Sequence, residues 1–547
     1  MKVELYNYAV SRGLTRRGLL KGAASVGAMA AVGGAATGMS MRPAWAQDNL
    51  RAEILKIPGV GMGSPTDADW QKVGEMCLGQ TRDSVAEGEF EGVELTFMGL
   101  NNQNLHNFLF RGFLKPWEAY TGARINWIDL AQADYNARLQ QSIATGTVDF
   151  DIIEMGAPFE GDTASRGLLD EMPQWVDEMI ESDDLVGYLQ PPIGTWDGKK
   201  YRINIDGDAH TLAYRTDYFG PGGIGGESMP DTWEGVNAAT KALVGKTDPL
   251  TGLPAHGYLD PLKGWGGFGF YFLMNRAVAY GKHPDDPAWL FDPETMTPLV
   301  NSPAWVQAIQ DVMDLIATPG AYPADQINAD PGTTAFQQFL AGTGSMIMWW
   351  GDVGSNARTS DTSVVGDVVG FGVNPGAERR YNNQTGEWEN ERNDAINMAY
   401  IGWGIYVTSR VSGDEKKRKA AWSAAAHLGG KDLSLWTVAY PSGFQPYRNS
   451  HFLYDEWEAA GYDRAFIEDY LGSMVDSYNH PNTAIEPRIP GIFQYYSVAE
   501  DELAKGFAGQ YESAQETADA IAAAWERITD QIGRDSQIEL YKASLGM

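Results

Sequence analysis

The sequence predicts an α/β protein whose leading lobe is built on a parallel sheet. Two observations predict it: strand and helix patterns alternate from residue 93 onward, and the apolar content is high enough for a large core. Of 547 residues, 43% are apolar and 12% aromatic, which suits two or three compact units. Residues 93–98 alternate apolar and polar side chains and end at Gly99, the pattern of a half-buried strand. Residues 105–120 follow at helical spacing, and Thr121-Gly122 stops them. Residues 123–130 read as a second strand, 135–144 as a helix and 150–155 as a buried strand. Strands joined through helices pair in parallel with right-handed crossovers, so helices cover both faces. Ligands of open α/β sheets bind beyond the carboxyl ends of the strands. The loops after Met98 and after Glu154 are therefore the first candidates for a site.

Further along, a turn at 195–202 leads into an extended stretch, 203–214. Helices are predicted over 232–244, over 265–280 after a glycine-rich start, and over 305–316 and 334–341. Short apolar strands are expected at 345–349, 368–373 and 398–407. Beyond these the chain reads as mostly helical, ending in 514–532. Residues 47–90 are polar and punctuated by Gly and Pro, and resist assignment.

The formal charge is −31, although the first 46 residues are net basic. Such an acidic surface repels phosphate backbones and anionic lipid heads, which argues against nucleic-acid binding. The single cysteine, Cys77, excludes an intrachain disulfide and any multi-thiolate metal site. At the amino end, Thr15-Arg16-Arg17-Gly18-Leu19-Leu20-Lys21 is a twin-arginine pattern. An uncharged Ala/Gly-rich stretch (22–41) and the small-x-small site Ala44-Trp45-Ala46 follow it. The order is that of a signal peptide over 1–46 with cleavage before Gln47, implying a periplasmic protein; an uncleaved anchor is the alternative.

Several apparent motifs fail on context. Gly264-Trp265-Gly266-Gly267-Phe268-Gly269 spells a dinucleotide fingerprint, but no clear strand precedes it and Trp would crowd the pyrophosphate turn. Thr240 to Thr247 resembles a P-loop, yet a helix runs into its Gly-Lys-Thr rather than out of it. The seven histidines include no pair four residues apart and no His-Glu-x-x-His, so no metal site is expected. No Gly-x-Ser-x-Gly elbow occurs. No cofactor is expected either.

From about residue 92 to 533 the order of features resembles the family 1 extracellular solute-binding proteins, the group that includes the maltose-binding protein. The resemblance is carried by Phe113-Leu114-Lys115-Pro116-Trp117-Glu118-Ala119-Tyr120-Thr121-Gly122 and by Thr145-Gly146-Thr147-Val148-Asp149-Phe150-Asp151-Ile152-Ile153. It continues through Gly167-Leu168-Leu169, Asp197-Gly198-Lys199-Lys200-Tyr201, Phe339-Leu340-Ala341-Gly342-Thr343-Gly344-Ser345-Met346, Gly402-Trp403-Gly404 and Ile489-Pro490-Gly491-Ile492. It implies a two-lobed periplasmic-binding-protein fold of type II, each lobe an α/β sandwich, with hinge crossings near 204–211 and 397–404. A further crossing toward the C-terminus is left open. The implied organisation is an N-terminal extension over 47–90, an N-lobe over 91–206 plus about 400–450, and a C-lobe over 207–397. A C-terminal helical region, 451–547, would pack on both lobes. The insert around 381–393 departs from the family pattern.

The resemblance further implies a non-enzymatic monomer that delivers a small ligand to an ABC permease. Carried over by motif, the ligand contacts fall on Asn101 and Asn102 after the first strand, then on Glu154, Met155 and Phe159. Asp208 lies at the first hinge and Trp403 at the second. Asp260, Trp265, Trp350, Asp352 and Tyr496 complete the set. Each has a plainer role: Trp403 as hinge packing, Asp208 as a turn cap with Asp206, and Asn101 and Asn102 as turn residues. Trp349 and Trp350 point oppositely on a strand, so one at most faces the cleft, and Trp350 is the choice. Carboxylates and amides suit a hydroxyl rim and flat rings suit the apolar face of a sugar. The expected ligand is thus a neutral sugar, oligosaccharide or polyol, with a polyamine as the weaker alternative. The competing class is a secreted glycoside hydrolase using two carboxylates.

Overall fold

Strand β1 (Glu94–Leu100) is exposed at its start, half-buried at Thr96 and buried on both faces from Phe97 on, as suits an interior strand. The computed structural model describes residues 50, 51, 53–57, 65–101, 106–440 and 442–547. The signal peptide expected over 1–46 lies outside them. β1 pairs in parallel with β2 (Arg124–Leu130) along its whole length and with β3 (Ile152–Gly156) on its other side. The helix between β1 and β2, Asn107–Thr121, ends at Gly122 with φ 78°, a left-handed cap that suits glycine. Strand β4 (Arg202–Asn204) joins the same sheet only through β11 (Trp403–Val407), which is antiparallel to both β3 and β4. The order is β2-β1-β3-β11-β4.

A second sheet centres on β5 (His210–Arg215), flanked by β6 (Met346–Trp350) and β7 (Val369–Gly372), both antiparallel to it. The predicted insert contains a hairpin of β8 (Arg380–Asn382) and β9 (Glu387–Glu389). The short strands β10 (Ile396–Asn397) and β12 (Thr483–Ala484) pair in parallel.

The chain leaves the first sheet for the second through 205–209, between β4 and β5, and returns to the first sheet at β11 through 398–402, which runs close beside that path. Here one expectation is corrected. A continuous strand over 398–407 does not form, because Tyr400, Ile401 and Gly402 adopt φ of 77°, 56° and 88°. No strand can run through that left-handed region, and for the β-branched Ile401 it is strained. Gly402 has a second reason to lack a side chain. A Cβ there would lie 2.4 Å from the Asp206 carbonyl oxygen. Gly402→Ala is expected to cost about 2 kcal/mol or more, read as a lower urea midpoint at unchanged m-value.

Residues 65–84, left unassigned from sequence, are largely helical. Thr66 and Asp69 form a reciprocal capping box on the helix Asp67–Met76. That helix buries Trp70 and Val73 against Asn107–Thr121, with Gly74 close on the Phe113 backbone. At the other end, the helix Arg464–Tyr478 packs on β7, where Asp469 accepts the Phe371 N–H at 2.9 Å. The helices Ile492–Phe507 and Ala514–Ile532 pack on each other. Arg488, just before them, donates to Glu160 at 2.6 Å. Among the described residues no helix is long and apolar enough to cross a membrane.

Candidate ligand-binding site

The two crossing segments bring an unusual set of acids together. Asp206 and Asp208 lie on the first crossing, both buried. Asp206 Oδ1 accepts the N–H groups of Gly207 (2.8 Å) and Gln445 (2.9 Å), while Oδ2 has no partner. Asp208 accepts from the Gln445 side-chain amide, whose oxygen in turn accepts the Gly351 N–H. Gln445 thereby links the crossing to the end of β6. Asp352, one residue beyond Gly351, is buried and accepts from Asn356 at 3.0 Å. Glu486 accepts from the Tyr271 hydroxyl, and its second oxygen is bare.

Burial dominates the electrostatics. It lifts Asp206 and Asp208 well above the usual carboxylate range; Asp206 and Asp352 raise Asp208 further by repulsion. Burial, with the Asp206 charge added, raises Asp352 as well. Glu486 is pushed up to about 8, again by burial. His210, whose Nδ1 meets the Asn275 amide, is driven down to about 3 by burial and is neutral at ordinary pH.

Aromatic rings from three parts of the chain close around these acids. Tyr400 lies 5.0 Å from Trp403 and 5.0 Å from Phe268, and 5.9 Å from Phe493. Its buried hydroxyl has no hydrogen-bond partner and sits in the field of Asp208, Glu486 and Glu154. Trp350 meets His210 edge-on at 4.6 Å and Tyr271 at 6.2 Å. Tyr496 lies 5.5 Å from Tyr271 and 5.8 Å from Phe493, and its hydroxyl faces Glu486. On the first sheet, Glu154 accepts from His106, whose ring meets Trp403 at 5.0 Å.

Of the residues singled out from sequence, Glu154, Asp208, Trp350, Asp352, Trp403 and Tyr496 fall within this assembly. Phe159 borders it by stacking on Phe493 at 4.7 Å. Met155 is fully buried on β3, and strand alternation turns it to the face opposite Glu154. Trp349 stacks on Phe336 at 4.3 Å, its ring 87° from that of Trp350. Asn101 is exposed, and Asn102 lies outside the described residues. Asp260 is committed elsewhere, to Arg276 at 2.8 Å and to the Tyr322 hydroxyl. Trp265 is half-buried and touches the assembly only through Phe268, at 5.4 Å. Its loop is held by Glu500, which accepts the N–H groups of Trp265, Gly267 and Gly269.

Sequence reasoning missed His106, His210, Tyr271, Tyr400, Gln445 and Glu486 as members. Glu486 left one usable signal, an acid inside the apolar, proline-flanked run 484–492. The others carry none, since their neighbours come from distant segments. Among the described residues no group of three or more His, Cys, Asp or Glu is arranged to hold a metal ion.

Residues 113–459 match the model of the bacterial extracellular solute-binding protein family, and the chain belongs to that family. These are binding components of transport systems and not enzymes, and the glycoside-hydrolase alternative finds no support. Membership implies a periplasmic or extracellular location and a permease partner. No curated protein sequence matches the chain. Among solved structures, it is similar to an ABC-transporter solute-binding protein of Agrobacterium radiobacter K84 in complex with ribitol. That likeness has TM-score 0.63 and 18% identity, covering 80% of this chain and 99% of the other. A solute-binding protein of Agrobacterium vitis S4 with bound D-mannitol gives 0.58 and 21%, covering 81% and 99%. The maltose-bound MalE3 of T. maritima gives 0.58 and 17%, covering 80% and 100%. The fold is accordingly the two-lobed type II arrangement of these receptors.

Proposed function

We infer that the protein is the receptor of an ABC importer, taking a hydroxylated ligand of the carbohydrate or polyol class between its lobes. One observation carries this reading. Rings and buried carboxyls from both sheets and from the C-terminal segment converge around Tyr400, where several polar atoms have no protein partner. Buried polar groups are rarely left bare, and hydroxyls lying against ring faces are what such a surface complements. The ribitol, D-mannitol and maltose of the similar structures agree with this class. The lobes are assigned as 91–206 with about 400–450, and 207–397, with 451–547 packing on both. The contacts are assigned to Glu154, Asp208, Trp350, Asp352, Trp403 and Tyr496, to which Tyr400 and Glu486 are added. Export by the twin-arginine route with cleavage before Gln47, to the periplasm and as a monomer, completes the reading.

The mechanism is a population shift. A ligand touching both sheets binds the closed state better than the open one. Moving a 1:99 equilibrium to 99:1 needs about 5.5 kcal/mol of differential binding. A few hydrogen bonds to buried carboxyls and one or two ring contacts supply that order of energy. Calorimetric titration with ribitol, D-mannitol and maltose, paired with small-angle scattering, tests it. Saturable binding with a smaller radius of gyration is the expected result. A ligand that binds tightly without compaction refutes closure, and one recovered chemically altered refutes the receptor reading.

A further inference from the structure

Several buried carboxylates elsewhere among the described residues have cationic partners. Asp248 pairs with Arg215 (3.2 Å), Asp260 with Arg276 (2.8 Å), Glu160 with Arg488 (2.6 Å) and Asp151 with Lys417 (2.9 Å). Glu500 instead takes three backbone N–H groups, Asp162 takes the Gly491 N–H, and Asp311 takes the Tyr280 hydroxyl and the Gln307 amide. The acids of the candidate site differ in lying close to one another without a cation. Among the described residues no Lys or Arg forms an ion pair with Asp206, Asp208, Asp352 or Glu486, and Asp206 Oδ2 and Glu486 Oε2, both buried, accept nothing. The titratable groups packed nearest are the His106–Glu154 pair, whose imidazole lies in the field of Asp206, the phenols of Tyr188, Tyr271, Tyr400, Tyr447, Tyr470, Tyr478 and Tyr496, and neutral His210. Burying like charges without a counter-ion is costly, so these acids hold protons in the unliganded protein, and a cationic group can take the protons' place.

We propose that the ligand is a polyhydroxylated molecule bearing one ammonium group, whose ammonium lies against Asp206 and Asp208 within reach of the Tyr400 and Trp403 rings. The inference rests on the receptor reading and adds charge to it. Two kinds of chemistry support it. The unfilled carboxylate oxygens match an ammonium's donors, and the adjoining ring faces stabilise a cation while also accepting a polyol's C–H surface. The remaining bare groups, Glu486 Oε2 and the Tyr496 hydroxyl, are left to read hydroxyls. This division separates the ligand from a plain polyamine, which carries no hydroxyls for them. Entry of the cation returns Asp206 and Asp208 to their charged forms, so binding expels protons that the pair holds in the empty site.

The test compares sorbitol with glucamine, its 1-amino-1-deoxy counterpart, and with putrescine, by calorimetric titration at pH 7 in two buffers of different ionisation heat. Glucamine should bind at least about ten-fold more tightly than sorbitol, with proton release. Asp208→Asn should remove most of that preference. That variant replaces a buried carboxyl that holds a proton with an amide of the same shape, so its melting temperature should hold, and a melting scan confirms that it is folded. Sorbitol binding as tightly as glucamine overturns the ammonium, as does a preference that survives in both Asp208→Asn and Asp206→Asn. Putrescine binding more tightly than glucamine overturns the hydroxyl half. If no polyol, sugar or amine binds, the receptor reading itself fails and takes this inference with it.

Discussion

Replacing Arg488 with methionine is expected to lower the unfolding free energy by about 3 kcal/mol, because it strands a buried carboxylate. The Arg488 guanidinium donates to Glu160 Oε2 at 2.6 Å and to the carbonyl oxygens of Ile193 (3.0 Å), Thr195 (2.8 Å) and Pro192 (3.3 Å). It thereby ties the segment before the last long helices to Glu160 and to the 192–195 turn. Glu160 retains the Tyr406 hydroxyl at 2.8 Å and Arg202 at 3.5 Å, which holds the loss below the upper end for a broken buried pair. Pairing the change with Glu160→Gln should recover part of the stability, since the stranded charge goes with it. Urea unfolding of the two variants decides the matter. A loss under about 1 kcal/mol for the single variant would mean that Arg202 alone satisfies Glu160.

Between about pH 6.5 and 8 the unliganded protein should lose stability as pH rises. The cause is the set of raised carboxyls. Asp206 and Glu486 have folded-state values near 7 and 8, far above their values in an unfolded chain. In this window the folded state therefore holds protons that the unfolded state has released. By linkage, stability falls as those protons are lost, about 1.4 kcal/mol per pH unit for each fully titrating group. A drop of about 2 kcal/mol across the window is the expected scale. Other groups bound the window. Burial lowers His210 to about 3 and His427 to about 4 and depresses His451 as well, so protonation of the unfolded chain below its histidine range works the other way. Lys282, lowered by burial to about 8, opposes the trend above that pH. Glu486→Gln should flatten the slope, measured as unfolding midpoints across pH. An unchanged slope in this variant would show that Glu486 is not the proton holder.

The leading sheet was legible from residues 93–155 because its strands are local and its helices carry their own stop signals, such as Thr121-Gly122. The antiparallel strand β11 was only half legible. Its apolar residues mark a strand, but nothing in their pattern records that Tyr400 and Ile401 take left-handed backbone, which packing against 205–209 imposes. Candidate contacts anchored in a well-defined motif, such as Asp208, Trp350 and Trp403, lie within the ring and acid assembly. Asp260, taken from a stretch of loose register, pairs instead with Arg276, sixteen residues on along the chain.

By itself the sequence determined the α/β class, the acidic balance and the order of motifs that marks a solute-binding protein, since periodicity, charge and local turn chemistry are properties of neighbouring residues. Only the tertiary structure decided which acids have partners. Whether Asp206 and Glu486 stand without a cation while Asp248 and Asp260 have one depends on where residues tens to hundreds of positions away come to rest. Ion pairing acts through space at a few ångströms, and along the chain those distances are not written.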